Sequence, residues 1–184
     1  SVETAQLQGL EDLGTLLQTT TVASGSPQVT AASSTAFVQN GGTGAQTISL
    51  RGLGANRTLV LLNGRRAGPA GVRGAVSSFD LNTIPLSAVE RVEVLKDGAS
   101  SVYGSDAVAG VVNIITDKGD SSSFNLFTSQ PSESGGETTR ADFTWANSTD
   151  KLRYRLTGDY YKREALAKGD RDYVSCGEQY IFSP

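Results

Sequence analysis

The sequence predicts an α+β chain, in which a small mixed β-sheet with short helices is followed by antiparallel hairpin strands. Three observations predict it. The run Thr58–Leu62 is almost wholly apolar, too short for a helix and closed by the turn pair Asn63-Gly64, so it reads as a strand buried on both faces and central in its sheet. Gly110–Thr116 is a second buried run of the same kind. After Lys118 the pattern changes to period-two alternation, with Ala141, Phe143 and Trp145 on one face and Arg140, Asp142 and Thr144 on the other.

The remaining elements can be taken in chain order. Leu7, Leu10, Leu13, Leu16 and Leu17 fall at helical spacing, with Glu11 and Asp12 where the helix dipole favours acids, so Leu7–Leu17 is expected to be a short amphipathic helix. Thr19–Thr35 has the composition of turns and weak strand, and Asn40-Gly41-Gly42 with Gly44 marks a loop between Phe37 and Gln46. Ile48–Arg51 is a short strand candidate. Gly68, Pro69, Gly71 and Gly74 make Arg65–Asp80 a long exposed loop. Pro85 opens a helical turn through Ala88, Arg91–Leu95 alternates as a half-exposed strand does, and Asp97–Tyr103 suits a second short helix.

In the second part, Phe124 and Leu126 suggest a strand before a Pro131–Gly136 loop, and Thr139–Trp145 and Leu152–Tyr160 are joined by a hairpin turn at Asn147–Asp150. Leu152, Tyr154, Leu156 and Tyr160 lie opposite Arg153, Arg155, Thr157 and Asp159. Two structures give this alternation: a soluble antiparallel sheet with one wet face, which is its commoner source, and a barrel wall with a polar inside and a lipid-facing outside.

Composition narrows the chemistry. The chain of 184 residues has no histidine, and Cys176 is its single cysteine, so it cannot form an internal disulfide, supply the usual His/Cys zinc ligands or assemble a Ser-His-Asp triad. A net charge of −3 offers no basic field for nucleic acid, and none is expected as a partner. No apolar run approaches the ~18 residues of a membrane-spanning helix, and Ser1 begins nothing like a signal peptide. The chain is therefore expected either to stay inside the cell or to have lost a leader. Gly41-Gly-Thr-Gly44 and Gly52-Leu-Gly54 lack the Gly-Lys-Ser/Thr of a phosphate loop, and Arg57 stands where a dinucleotide fingerprint needs its third glycine.

Four blocks carry more than periodicity: Ile48-Ser-Leu-Arg-Gly52, Leu59-Val-Leu-Leu-Asn-Gly-Arg65, Ile84-Pro-Leu-Ser-Ala-Val-Glu-Arg-Val-Glu-Val-Leu-Lys-Asp-Gly98 and Tyr103-Gly-Ser-Asp-Ala-Val-Ala-Gly-Val-Val-Asn-Ile-Ile-Thr116. In this order the chain resembles the plug domain of TonB-dependent outer-membrane receptors across Leu7–Lys118, and the segment beyond Lys118 is similar to the opening strands of the family's barrel. The resemblance implies a plug over residues 1–118 and the first strands and a loop of a transmembrane β-barrel over 119–184, the barrel being incomplete in this chain. It implies a gate without bond chemistry or cofactor, seated in the lumen of a barrel of about 22 strands in the bacterial outer membrane. The implied partners are the remainder of the barrel, in the same or a separate chain, outer-membrane lipid, a small nutrient and the TonB energy-coupling complex.

The family's pattern also assigns residues. Arg51 matches the arginine that pairs with carboxylates of the barrel wall, and Lys96 stands where many relatives carry a second basic residue, here a point charge in place of a guanidinium fork. Glu90 and Glu93 complete that expected cluster. Ligand contacts are expected from the loops Gln39–Ala45, Ala55–Arg57 and Arg65–Phe79, led by Asn40, Asn56 and Arg57, with Arg66 and Phe79 behind them. Arg51-Gly-Leu-Gly-Ala-Asn-Arg-Thr58 followed by Asn63-Gly-Arg-Arg66 looks closer to relatives proposed to import sugars or other organic nutrients than to siderophore receptors. Ser1–Ala5 is too short and too close to Leu7 to be the energy-coupling box, which is expected upstream, and Arg163–Pro184 is expected to enter an extracellular loop. The rival readings are a freestanding periplasmic binding or signalling module with a soluble β-sheet, and a barrel-associated structural protein without transport.

Overall fold

A computed structural model describes residues 12–26, 44–69, 78–97, 99–132 and 135–165. It divides into two compact units, Ser1–Asp120 and Ser121–Pro184. The structure is α+β, as expected, and each unit has its own sheet.

The first unit is built on a four-stranded mixed sheet. Its strands are β1 (Thr58–Leu62), β2 (Arg65–Arg66), β3 (Val89–Leu95) and β4 (Gly110–Thr116), in the order β2-β1-β4-β3. β1 and β4 run parallel in register from Thr58↔Gly110 to Leu62↔Ile114, while β3 pairs antiparallel with the other side of β4. Both central strands are buried on two faces because period-two geometry sends alternate side chains into two apolar layers. Val60, Val112 and Ile114 enter the larger layer with Leu13 and Leu17 of helix α1 (Leu13–Gln18) and with Leu50, Leu81 and Leu86 of the connections. Leu59, Leu61 and Val111 enter a smaller layer beside helix α2 (Ser100–Tyr103), where Ala99, Ala107 and Tyr103 meet them.

Local signals account for most boundaries. Asp12 is the N-cap of α1, its carboxylate accepting from the Thr15 amide at 2.7 Å and the Thr15 hydroxyl at 2.9 Å. Leu7 and Leu10 of the expected longer helix lie outside the described residues, as does most of the Phe37–Gln46 loop. Asn63 (φ 51°) and Gly64 (φ 79°) turn β1 back into β2 through a two-residue hairpin whose left-handed residues suit the strand twist. The Asn63 side chain then bridges to β4, its Oδ1 accepting from the Thr116 amide at 3.0 Å. The expected turn after Pro85 is present as a 3-10 turn at Leu86–Ala88, and Asp80 caps a further one at Leu81–Thr83.

One element differs from expectation. Ile48–Arg51 is buried at Ile48, Ser49 and Leu50 but is not a strand, because its backbone bonds to side chains and loops instead of a ladder. The Leu50 amide donates to Thr58 Oγ1 at 3.1 Å and the Arg51 amide to the Val22 carbonyl at 3.4 Å, and Arg51 itself is left-handed (φ 53°). Arg65 and Arg66, expected within a loop, instead form β2, since the Asn63-Gly64 turn places them beside Leu62 and Leu61.

The second unit is an open antiparallel sheet of β5 (Ser122–Ser129), β6 (Thr138–Ser148) and β7 (Arg153–Arg163) in sequential order. The β6–β7 turn spans 149–152, so Asn147 and Ser148 belong to the strand; the Thr149 amide donates to the Leu152 carbonyl at 2.7 Å. Its polarity is inverted relative to a soluble sheet. Asp142, Thr144 and Arg140 lie on the more enclosed face, where Arg140 pairs with Asp159 and Asp142 accepts from Asn125. Phe124, Leu126, Phe143, Trp145, Leu156 and Tyr160 occupy the opposite, exposed face. Phe143 lies over Gly158, its register partner, where a Cβ would come within 2.2 Å of the ring. The Trp145 and Tyr154 rings meet edge to face at 5.3 Å.

Candidate ligand cavity and arginine cluster

The 3-10 turn Ala55–Arg57 leads directly into β1, and the Asn63-Gly64 hairpin returns Arg66 to the side of the same strand. A second 3-10 turn, Ser105–Ala107, packs against β1 through Ala107. Between them, with Ser78 and Phe79, lies a cavity of about 530 Å³ bordered by Asn56, Arg66, Ser78, Phe79 and Asp106. Arg66 spans it, donating from Nη1 to Asp106 Oδ2 at 2.5 Å and from Nη2 to the Tyr103 carbonyl. The Arg66 hydrogen bond, helped by the Ser105 hydroxyl, holds the Asp106 carboxyl below its ordinary range, so it is ionised at neutral pH. Phe79 belongs to both environments, since it also packs against the larger apolar layer. Ser78 is 6 % exposed, and its hydroxyl oxygen has no hydrogen-bond partner among the described residues.

A second group surrounds Arg51. Its guanidinium donates from Nε to the Ala109 carbonyl at 3.2 Å, from Nη2 to the Val108 carbonyl at 3.0 Å and from Nη1 to Asp97 Oδ1 at 2.9 Å. These bonds tie the non-ladder segment before β1 to the residues that open β4. They also hold Arg51 in a backbone conformation that L-residues other than asparagine rarely take. Lys96 lies next to it, and the two border a cavity of about 200 Å³ with Thr21 and Ser24. Replacing Arg51 with Ala is expected to lower stability by about 2 kcal/mol, because two carbonyls lose their donor and each such bond contributes ~1 kcal/mol. The exposed pair to Asp97 contributes less, so Asp97→Asn is expected to cost under about 1 kcal/mol. Urea denaturation of the two variants measures the difference; equal losses would refute this ranking.

A family model described as TonB-dependent Receptor Plug Domain matches residues 1–111. The chain belongs to this family. The plug is a component of transporters, not a member of an enzyme family, and membership implies an outer-membrane location and association with a barrel and a TonB-dependent system.

Within the plug, the structure gathers three of the expected ligand contacts, Asn56, Arg66 and Phe79, around one cavity. Arg57 is directed elsewhere, its Nη1 donating to the Leu53 carbonyl at 3.1 Å, and Asn40 lies outside the described residues. Of the expected basic and acidic cluster, Arg51 and Lys96 are neighbours. Glu90 and Glu93 instead bond to Arg91, which donates to Glu90 Oε1 at 2.5 Å and Glu93 Oε1 at 3.0 Å, and both glutamates raise its pKa. No sequence signal marks Arg91, Asp106 or Ser78 as functional. The Arg66–Asp106 pairing joins residues 40 positions apart, and only the β1–β2 hairpin and the parallel β1–β4 pairing bring them together.

Proposed function

We propose that this chain is the front part of an active transporter of the bacterial outer membrane, in which the plug gates a β-barrel, contributes to binding a small organic nutrient such as a carbohydrate, and is opened by TonB. The observation that carries the reading is the inverted polarity of the three-stranded sheet C-terminal to the plug. An exposed row of Phe124, Phe143, Trp145 and Leu156 over a polar, hydrogen-bonded reverse face suits a wall between lipid and an aqueous lumen. A freestanding periplasmic module would leave the same row in water, where contiguous apolar patches drive association.

In this scheme Arg51, Lys96, Glu90 and Glu93 supply exposed or half-exposed charge toward a barrel wall. Such contacts can exchange partners with water and are weak enough for force to break. The test is uptake of a labelled oligosaccharide by cells that carry the whole transporter, with and without TonB. Uptake is expected to fall to the diffusive background without TonB. Equal uptake in both strains would remove energy coupling from the reading, and recovery of the protein from the periplasm would favour the freestanding module.

A further inference from the structure

The turn that joins β1 to β2 carries a chemistry that the gating role does not use. Asn63 and Gly64 are exposed and both left-handed, and nothing stands within 4 Å of the place a Gly64 Cβ would take. An asparagine followed by glycine is the pair whose backbone closes most freely on its own side chain, because no Cβ hinders approach to the glycine nitrogen. Here both reacting groups are tied to β4. The Gly64 amide donates to Asn113 Oδ1 at 2.9 Å, so the nitrogen that would attack is engaged by another residue. The Asn63 carboxamide faces Thr116, its Oδ1 accepting from the amide at 3.0 Å and its Nδ2 donating to Oγ1 at 3.0 Å. The Asn63 amide donates to the Ile114 carbonyl at 2.9 Å. The side-chain attachments to Asn113 and Thr116 are solvent-exposed, so water reaches the turn as soon as they part.

We propose that Asn63 is a deamidation site that the fold holds shut, and that Asn113 and Thr116 of β4 set its rate. Once the turn lifts from β4, the deprotonated Gly64 nitrogen attacks Asn63 Cγ, the new N–C bond closes a succinimide ring, and the Cγ–Nδ2 bond breaks with loss of ammonia. Water then opens either carbonyl of the ring, leaving an aspartate or an isoaspartate at position 63. The sequence consumes water and releases ammonia, with no redox change. β2 is held to β1 only at Leu61↔Arg66 and Leu62↔Arg65, so the turn opens more readily than the β1–β4–β3 centre of the sheet. The isoaspartate product adds a methylene to the backbone inside a two-residue turn, so β2 loses its register with β1 and Arg66 its approach to Asp106. None of this depends on transport, because every group involved lies in the first unit.

Peptide mapping of the detergent-solubilised full chain, aged in mildly alkaline buffer with and without unfolding urea, reads the fraction of aspartate and isoaspartate at position 63. The folded chain is expected to react about twentyfold more slowly than the unfolded one, because the Asn113 and Thr116 anchors must both break and each hydrogen bond is a factor of about five. Asn113→Ala and Thr116→Val are each expected to raise the folded rate about fivefold and to leave the rate in urea unchanged. Thr116→Val keeps the peptide amide and removes only the hydroxyl, so it carries the test if Asn113→Ala does not fold. Hydrogen exchange on β3 is expected to match the parent in both variants, since β3 pairs with β4 on the side away from the turn. Equal rates with and without urea, or folded rates that neither variant raises, would overturn the guarding role of β4. A faster rate accompanied by lost protection on β3 would overturn it too, by making general unfolding the cause. Absence of both products in urea would remove the site altogether.

Discussion

Gly110→Val is expected to unfold the plug under conditions in which the parent is folded. Gly110 opens β4, the strand that joins β1 to β3, and its φ is 134°, a conformation L side chains rarely adopt. A Cβ there would lie 2.6 Å from the Leu95 carbonyl oxygen and 2.8 Å from Leu50 Cδ1. Neither neighbour can yield cheaply. The carbonyl belongs to the end of the paired strand β3, and Leu50 is 1 % exposed in the larger apolar layer. Backbone strain of ~1–3 kcal/mol and overpacking of ~1–3 kcal/mol together come to about 4 kcal/mol, a large share of the ~5–15 kcal/mol that holds a domain together. Hydrogen exchange read by mass spectrometry on β1 and β4 checks this, with protection expected to collapse in both strands. Retained protection in both would show that the β3–β4 junction has slack absent from its geometry.

The same junction shows why some of this fold could be read directly and some could not. β1 and β4 are legible because burial on both faces writes a largely apolar run, and Asn63-Gly64 because a two-residue hairpin demands left-handed residues. Ile48 and Leu50 mislead for a related reason. Both are buried at alternate positions, as in a strand, yet the segment's backbone amides donate to Thr58 and Val22 through contacts no local pattern encodes. At the site, Asn56, Arg66 and Phe79 are reachable through the family's loop positions. Asp106 and Ser78 are not, because a charge partner 40 residues away and an unsatisfied hydroxyl exist only once the sheet is formed. The pairing of Glu90 and Glu93 with Arg91 on the same strand is likewise visible only in three dimensions, because the charge pattern alone does not say which partner each carboxylate takes.

The second sheet provides a test in which the competing readings predict opposite signs. Phe124 and Phe143 are register partners, exposed by 70 % and 43 %, on the face that also carries Leu126 and Trp145. If that face meets lipid, Arg at both positions costs ~2–4 kcal/mol each near the bilayer midplane, about 6 kcal/mol together, and the protein is expected to disappear from the outer-membrane fraction. If it meets water, an exposed Phe→Arg change stays within about 0.5 kcal/mol, and removing two aromatics from an apolar patch raises solubility. Ser123 is an exposed residue of the same strand on the alternate face, so Ser123→Arg is the control, expected to leave membrane recovery unchanged. Quantitative recovery from washed outer membranes separates the outcomes. Undiminished recovery of the double variant would exclude a lipid-facing wall at these residues. Loss of the double variant with retention of Ser123→Arg would tie membrane assembly to one face of the sheet, the face that period-two alternation in the sequence already sets apart.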